Sequence, residues 1–225
     1  MKALRALIPA AALAAGLALS ASADAATLVT IGLSTNGFGF ITPVGVPGPT
    51  STSVFNLNFG PWEVTADAHL GFFPDLLNSN TFAANASGVG TLWLYVTVQG
   101  LTGFTPGFIS GFTENLLSSN WFVLEETLLS ATNQLFTGFT LSAASFTQTG
   151  GVSAISHLTA GPDPYSVTEV FQISAGGNAS RQGNAQSTID IMAVPEPATW
   201  ALMIVGFGGV GAMLRGRRRT AAAFA

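Results

Sequence analysis

The segment TLWLYVTVQ, residues 91–99, decides the fold class because its side chains alternate in character along its whole length. One face of this segment holds Leu92, Leu94, Val96 and Val98, and the other holds Trp93, Tyr95, Thr97 and Gln99. Successive side chains of a β-strand point to opposite faces. The pattern therefore predicts a half-buried strand rich in β-branched and aromatic residues.

The same alternation recurs along the chain. It is clearest in YSVTEVFQIS, residues 165–174. Further strands are predicted over Leu28–Leu33, Ser53–Phe59, Trp62–His69, Trp121–Thr127, Leu135–Thr147, Val152–Leu158 and Ser187–Met192. Runs rich in glycine, proline and asparagine separate the strands, such as TPVGVPGPTS at residues 42–51 and AGGNASRQGN at residues 175–184. Two further segments are predicted as single helical turns: FPDLLNSN, residues 73–80, and TENLLSSN, residues 113–120. Roughly nine or more short strands predict an all-β body, residues 27–193, folded as one antiparallel, jelly-roll-like sandwich.

The charges of the chain are unevenly distributed. Between residues 27 and 193 the sequence has one cation, Arg181, and nine acidic residues, so the body has a net charge of about minus eight. Such a body repels phosphate backbones, which excludes nucleic acid as a partner. The chain has no cysteine, which excludes disulfides and cysteine-based metal or redox sites.

The N-terminal segment MKALRALIPAALAAGLALSASADAA has the three parts of a secretory signal peptide. Lys2 and Arg5 form the basic region, an apolar stretch follows, and small residues near Ala23 offer cleavage sites. We therefore assign residues 1–26 to a signal peptide and expect the body to be exported.

The C-terminal segment has the features of a membrane anchor. The stretch Ala198–Leu214 contains no charge, and as a helix it would be roughly 25 Å long. That is slightly short of the hydrocarbon core of a bilayer, so local thinning or snorkelling of arginines would be required. The basic residues that would stop the helix at the membrane are Arg215, Arg217, Arg218 and Arg219. Because positive charge is retained inside, residues 220–225 form a short cytoplasmic tail and the body faces outward.

The order of motifs at this end resembles the PEP-CTERM protein-sorting signal, in the PEPxxWA variant of Gram-negative bacteria. The resemblance covers residues 194–219. It rests on Pro195-Glu196-Pro197, Trp200-Ala201, the glycine-rich apolar stretch and the arginine cluster. It implies recognition and processing by an exosortase, a transient anchor in the inner membrane, and delivery to the cell surface or extracellular matrix. It further implies an association with exopolysaccharide and biofilm.

The strongest constellation of polar residues in the body lies on WEVTADAHL, residues 62–70. Strand geometry places Glu63, Asp67 and His69 on one face. One interpretation is a metal or acid–base site. The other is the solvated face of an antiparallel strand, which produces the same alternation. We assign no catalytic residue, metal or cofactor. GFGGVG at residues 206–211 matches the dinucleotide-binding fingerprint, but it is not followed by the acidic residue that a dinucleotide-binding βαβ unit requires.

Two functions remain open at this stage. The leading one is a non-enzymatic surface or matrix protein with a structural or glycan-binding role. In that role aromatic residues could stack on sugars, with Trp62, Trp93, Trp121 and Tyr165 as candidates. The alternative is a secreted polysaccharide hydrolase, which requires two carboxylates that converge within roughly 5 to 10 Å.

Overall fold

A computed structural model describes residues 26–85, 89–103, 105–160, 163–176, 182–194 and 201–208. The predicted signal peptide, residues 1–26, lies almost entirely outside this range. The strands are β1 (Leu28–Ser34), β2 (Thr42–Gly48), β3 (Ser51–Phe59), β4 (Trp62–His69), β5 (Asp75–Asn85), β6 (Gly90–Leu101), β7 (Phe108–Leu117), β8 (Phe122–Ser130), β9 (Phe139–Phe146), β10 (Gly150–Ser156), β11 (Tyr165–Ala175) and β12 (Gly183–Ala193).

These strands form two six-stranded sheets. Sheet A has the order β2-β1-β6-β11-β8-β9, and sheet B has the order β10-β7-β12-β5-β4-β3. Every pair of neighbouring strands is antiparallel. The two sheets share one apolar core, which confirms the all-β antiparallel sandwich.

The core is formed by the faces that the alternation predicts. Leu92, Leu94, Val96 and Val98 of β6 are completely buried. Aromatic pairs pack in the core: Trp62 meets Trp121 edge to face at 5.6 Å, and Phe108 meets Tyr165 at 6.5 Å between ring centroids. Edge-to-face geometry is the arrangement that aromatic quadrupoles prefer.

The prediction that β6 is only half-buried is wrong, because a loop covers its outer face. Tyr95 and Thr97 have no exposed surface. Phe136, in the β8–β9 connection, lies over Tyr95 with 5.9 Å between ring centroids. The loop is held by its backbone: the Phe136 amide donates to Thr97 Oγ1 at 3.2 Å, and Ser166 Oγ donates to the Gln134 carbonyl at 2.6 Å.

Three strands were not predicted. FPDLLNSN contributes to β5 and TENLLSSN to β7, so the predicted helical turns are wrong. The inward positions of these strands include Ser79, Thr81, Ser110 and Glu114. Polar residues at inward positions interrupt the alternation of apolar and polar side chains by which a strand is predicted. The third is β2, which contains Pro43 and Pro47 and lies at the edge of sheet A. Proline is tolerated there because an edge strand has unpaired amides.

Both ends of the sandwich domain lie at the same end of the sheets. Leu28 at the start of β1 pairs with Gln99 near the end of β6, and Leu101 pairs with Tyr165. Across the core, Tyr165 contacts Phe108. Phe108 in turn pairs with Ala193, the last residue of β12. We call this the exit end, because the chain leaves it toward the C-terminal segment.

Candidate functional site

The outer face of β4 is the polar face that the sequence predicts. Glu63 and His69 are exposed and Asp67 is half-buried, whereas the alternate residues point into the core. His69 Nε2 lies 3.2 Å from Asp67 Oδ2. Glu63 is six residues from His69, or roughly 20 Å along an extended strand. The structure therefore brings Asp67 and His69 together and separates Glu63 from them. Nowhere in the described ranges do three carboxylate or imidazole groups form a set that could hold a metal ion.

A groove on the outer face of sheet B collects polar side chains from neighbouring strands. The strand register aligns His69 with Asn78, Asn78 with Asp190, and Asp190 with Gly111. With Asp75 and Ser153 these residues line a groove of about 390 Å³. A Cβ at Gly111 would lie 3.8 Å from that of Asp190. The lack of a side chain at Gly111 thus leaves the groove open beside this carboxylate.

The surroundings of Asp190 in this groove alter its acidity. Burial raises the pKa of Asp190 above its ordinary value, and the negative charge of Asp75 raises it further. Asn78 Nδ2 donates a hydrogen bond to Asp190 Oδ1. The groove therefore presents carboxylate, amide, hydroxyl and imidazole groups side by side. Asp75 and Asp190 were not among the sequence candidates, because they stand alone in the sequence and only the strand register brings them together.

Glu63 lines a second, smaller groove of about 280 Å³ at the opposite end of sheet B. The other polar side chains of this groove are Asn58, Asn85 and Gln182. The groove contains one carboxylate and is otherwise lined by amides, glycine, alanine, proline and tryptophan.

Three glutamates lie in the core between the sheets, where sequence reasoning placed no site. Glu114 is 1% exposed, and Glu125 and Glu169 have no exposed surface. Ser187 Oγ donates to Glu114 Oε2 at 2.6 Å, and Ser79 Oγ of sheet B donates to Glu169 Oε2 of sheet A. The carboxyl group of Glu125 lies close to the Ser187 side chain and the Thr113 backbone, but neither of its oxygens makes a hydrogen bond of normal geometry. Glu125 points inward and its neighbour Glu126 outward, as the predicted alternation requires.

Burial raises the pKa values of these core glutamates. The pKa of Glu114 rises to about 7, and that of Glu125 rises to about 8, with the charge of Glu114 contributing. The pKa of Glu169 is also raised well above its ordinary value by burial. No lysine or arginine lies within the parts of the chain that the structure describes. Glu125 is therefore mostly protonated at neutral pH, and Glu114 becomes mostly protonated below it.

Most of the aromatic residues that were candidates for sugar stacking are buried in the core. Trp62, Trp121 and Tyr165 are at most 4% exposed, and Trp93 packs partly buried against the outer cluster of sheet A. The most exposed aromatic side chains are elsewhere, and Phe72 is 94% exposed.

The residues of the predicted sorting motif are mostly outside the described ranges. Among them are Pro195, Glu196, Pro197 and Trp200, together with the arginines Arg215, Arg217, Arg218 and Arg219. Ala201 is described, and residues 201–208 are helical with exposed side chains. Within the described residues, no helix combines the length and the apolar character needed to span a bilayer.

Residues 193–219 match the PEP-CTERM protein-sorting motif, so the tail is a sorting signal of this kind. This motif is the recognition signal of an exosortase, and it implies an exported precursor that such an enzyme sorts. No curated protein matches the sequence of the chain significantly.

Solved structures that match part of the chain include TmCBM61 in complex with β-1,4-galactotriose, at 12% identity and a TM-score of 0.31, over 61% of this chain and 90% of that chain. A second is the K1 cleaved adhesin domain of Lys-gingipain from Porphyromonas gingivalis W83, at 11% identity and a TM-score of 0.33, over 65% and 99%. A third is an arabinose-bound α-L-arabinofuranosidase, at 14% identity and a TM-score of 0.27, over 59% and 23%. With TM-scores between 0.27 and 0.33, these matches carry no argument about this chain.

Proposed function

We propose that this protein is a non-enzymatic component of the bacterial cell surface or extracellular matrix, associated with exopolysaccharide and biofilm. The observation that carries the proposal is the match of residues 193–219 to the sorting motif. In the proposed route, residues 1–26 direct export, Ala198–Leu214 anchors the precursor in the inner membrane, and the arginines remain in the cytoplasm. An exosortase then cleaves the chain near Pro195-Glu196-Pro197 and releases the sandwich domain.

The sorting motif is tested by substitution within it. Replacing Pro195, Glu196 and Pro197 together by alanine removes two fixed φ angles and the carboxylate that an enzyme would recognise. We expect the variant to accumulate in the inner membrane, measured by immunoblots of cell fractions. Thr199→Ser is the matched control, since Thr199 occupies a spacer position between the Pro-Glu-Pro and Trp-Ala elements. Equal surface levels of the triple variant and the control would contradict the proposal.

Within this role, we propose that the groove lined by His69, Asp75, Asn78, Ser153 and Asp190 binds a neutral polysaccharide. Its carboxylates and amide accept and donate the hydrogen bonds that sugar hydroxyls need. The described residues offer no lysine or arginine to pair with uronate or sulfate groups, so acidic glycans would be repelled.

The glycan proposal is tested with the protein recovered from the cell surface, by affinity electrophoresis in gels that contain neutral or acidic polysaccharide fractions of the host. We expect retardation by the neutral fraction only. Asp190→Asn should weaken the affinity for the neutral polysaccharide about tenfold, because hydrogen bonds to a charged acceptor are worth roughly 1.5 to 3 kcal/mol. Glu63→Gln, on the same face but in the other groove, is the matched control. Retardation that Asp190→Asn leaves unchanged would contradict the assignment of the groove.

A polysaccharide hydrolase is the second candidate, because two carboxylates, Asp75 and Asp190, line one groove and the pKa of Asp190 is raised. A raised pKa suits a general acid. If the protein cleaves glycans, Asp75→Asn and Asp190→Asn should each abolish the release of reducing sugar ends. If the unaltered protein does not cleave the host polysaccharide, the hydrolase is excluded and the binding role stands.

A further inference from the structure

The last residues of the sandwich domain are fixed in place. The Ala193 amide donates to the Pro74 carbonyl at 2.7 Å, and the Val194 amide donates to the Gly107 carbonyl at 2.9 Å. β12 is an inner strand of sheet B, with β7 on one side and β5 on the other. The chain therefore leaves the exit end from an anchored position, directly before Pro195.

The distance from this position to the apolar segment is short. Three residues separate Val194 from Ala198, and a fully extended chain covers at most about 3.6 Å per residue. Val194 is thus within roughly 14 Å of the start of the segment that we assign to the membrane. An anchored precursor holds its exit end close to the bilayer surface.

The exit end carries exposed apolar side chains beside the departing chain. Phe72 is 94% and Phe73 is 66% exposed. They come just before Pro74, whose carbonyl accepts the hydrogen bond from the Ala193 amide. The Asp75 amide closes a turn by donating to the Phe72 carbonyl at 2.9 Å. Leu158, which follows the end of β10, is also exposed at this end. Exposed phenyl groups are unfavourable in water and favourable at the boundary between headgroups and acyl chains.

We propose that the turn formed by Phe72 and Phe73 inserts into the surface of the bilayer in which the precursor is anchored, and so fixes the exit end against the membrane. This inference rests on the proposed function, because it requires the tail to hold the precursor in the membrane. Insertion is shallow, because Asp75 and Asp163 lie in or next to the connections at this end and stay in water. The driving force is apolar, since no described lysine or arginine is present to attract anionic lipids. The contact presents the Pro-Glu-Pro region at the membrane surface, where a membrane-embedded enzyme can reach it.

The chain has no cysteine, so a single introduced cysteine can be labelled without further changes. The full-length precursor, with Phe72→Cys or Phe40→Cys, is labelled with an environment-sensitive fluorophore. It is then reconstituted in vesicles of phosphatidylethanolamine and phosphatidylglycerol. Phe40 is the matched control because it is also highly exposed, at 78%, but lies between β1 and β2 at the opposite end. Thermal unfolding checks that both variants fold.

We expect the label at position 72 to emit at shorter wavelength and to be quenched by aqueous iodide about threefold less than the label at position 40. If the precursor floats with the vesicles and both labels are quenched equally, the turn does not insert and the inference is overturned, while the proposed function stands. If the precursor does not float with the vesicles at all, the anchoring step of the proposed function fails, and the inference fails with it.

Discussion

Three carboxyl groups, those of Glu114, Glu125 and Glu169, lie in the core of a sandwich whose described residues include no lysine or arginine. An unpaired buried carboxylate is far less favourable than a buried carboxylic acid. The hydroxyl groups of Ser79 and Ser187 bond to two of the three glutamates, but a hydroxyl does not neutralise a charge. Protonation is therefore the state that the core favours.

This arrangement predicts that the fold is weakened by alkaline pH. In the folded protein the pKa of Glu114 is about 7 and that of Glu125 is about 8, whereas an exposed glutamate has a value of 4.5. Between these values the folded state binds more protons than the unfolded state, so stability is fully present below about pH 4.5 and falls as the pH rises. One pKa unit corresponds to about 1.4 kcal/mol. We expect the free energy of unfolding to decrease by several kcal/mol, and by about 8 kcal/mol at most, between pH 4.5 and pH 9, measured by urea denaturation.

The control for this prediction is a pair of glutamate-to-glutamine substitutions. Glu125→Gln removes a buried ionisable group and should flatten the dependence on pH. Glu63→Gln changes an exposed group and should leave the dependence as it is. Stability that stays constant or rises toward pH 9, and that falls when a chelator is added, would contradict the account and indicate that a bound cation neutralises the carboxylates.

At the scale of the elements, the loop between β8 and β9 acts as part of the core. Its residue Phe136 is 6% exposed. With Tyr95, Leu128 and Val170 it forms a second apolar cluster on the outer face of sheet A. Four polar contacts with β6 and β11 hold the loop, including a 2.7 Å bond from Gln99 Nε2 to the Asn133 carbonyl. The loop therefore buries part of the outer face of sheet A.

We expect Phe136→Ala to destabilise the protein by about 3 kcal/mol, because it leaves a cavity and exposes the phenol ring of Tyr95. Phe139→Ala, at a residue that is 77% exposed, should change stability by less than about 0.5 kcal/mol. Both values follow from chemical denaturation. Equal effects of the two substitutions would show that the loop does not pack on sheet A.

The sequence predicts an element where the inward face is apolar and fails where it is polar. β6 was predicted because Leu92, Leu94, Val96 and Val98 alternate with other residues. β5 was not, because its inward Ser79 and Thr81 match the polarity of its outward amides. The role of Ser79 depends on Glu169, which lies 90 residues further along the chain and comes from the other sheet. No local pattern contains that pairing.

The candidate groove shows the same limit. Asp67 and His69 were predicted together because they lie two residues apart on one strand. The partners of His69 in the groove, Asn78 and Asp190, come from two other strands and are set by register alone. The predicted site therefore contributed one residue to the observed groove, and the other members needed the fold.

At the scale of the whole molecule, the first strand begins and the last strand ends at the same end of the sandwich. Leu28 and Val194 lie at the exit end, so the segment assigned to export and the segment assigned to sorting emerge from the same end. The opposite end of the molecule is free to face away from the membrane. One cleavage near Pro195 would release the entire body without breaking any strand.

The central claim, that an exosortase removes the tail before the body reaches the cell surface, is tested most directly by the intact mass of the surface-exposed protein in cells with and without the enzyme. We expect the surface form to lack both the apolar segment and Arg215, Arg217, Arg218 and Arg219, and the uncut chain to remain in the inner membrane when the exosortase gene is deleted. A surface form that retains these arginines, with the same mass in both strains, would contradict the account.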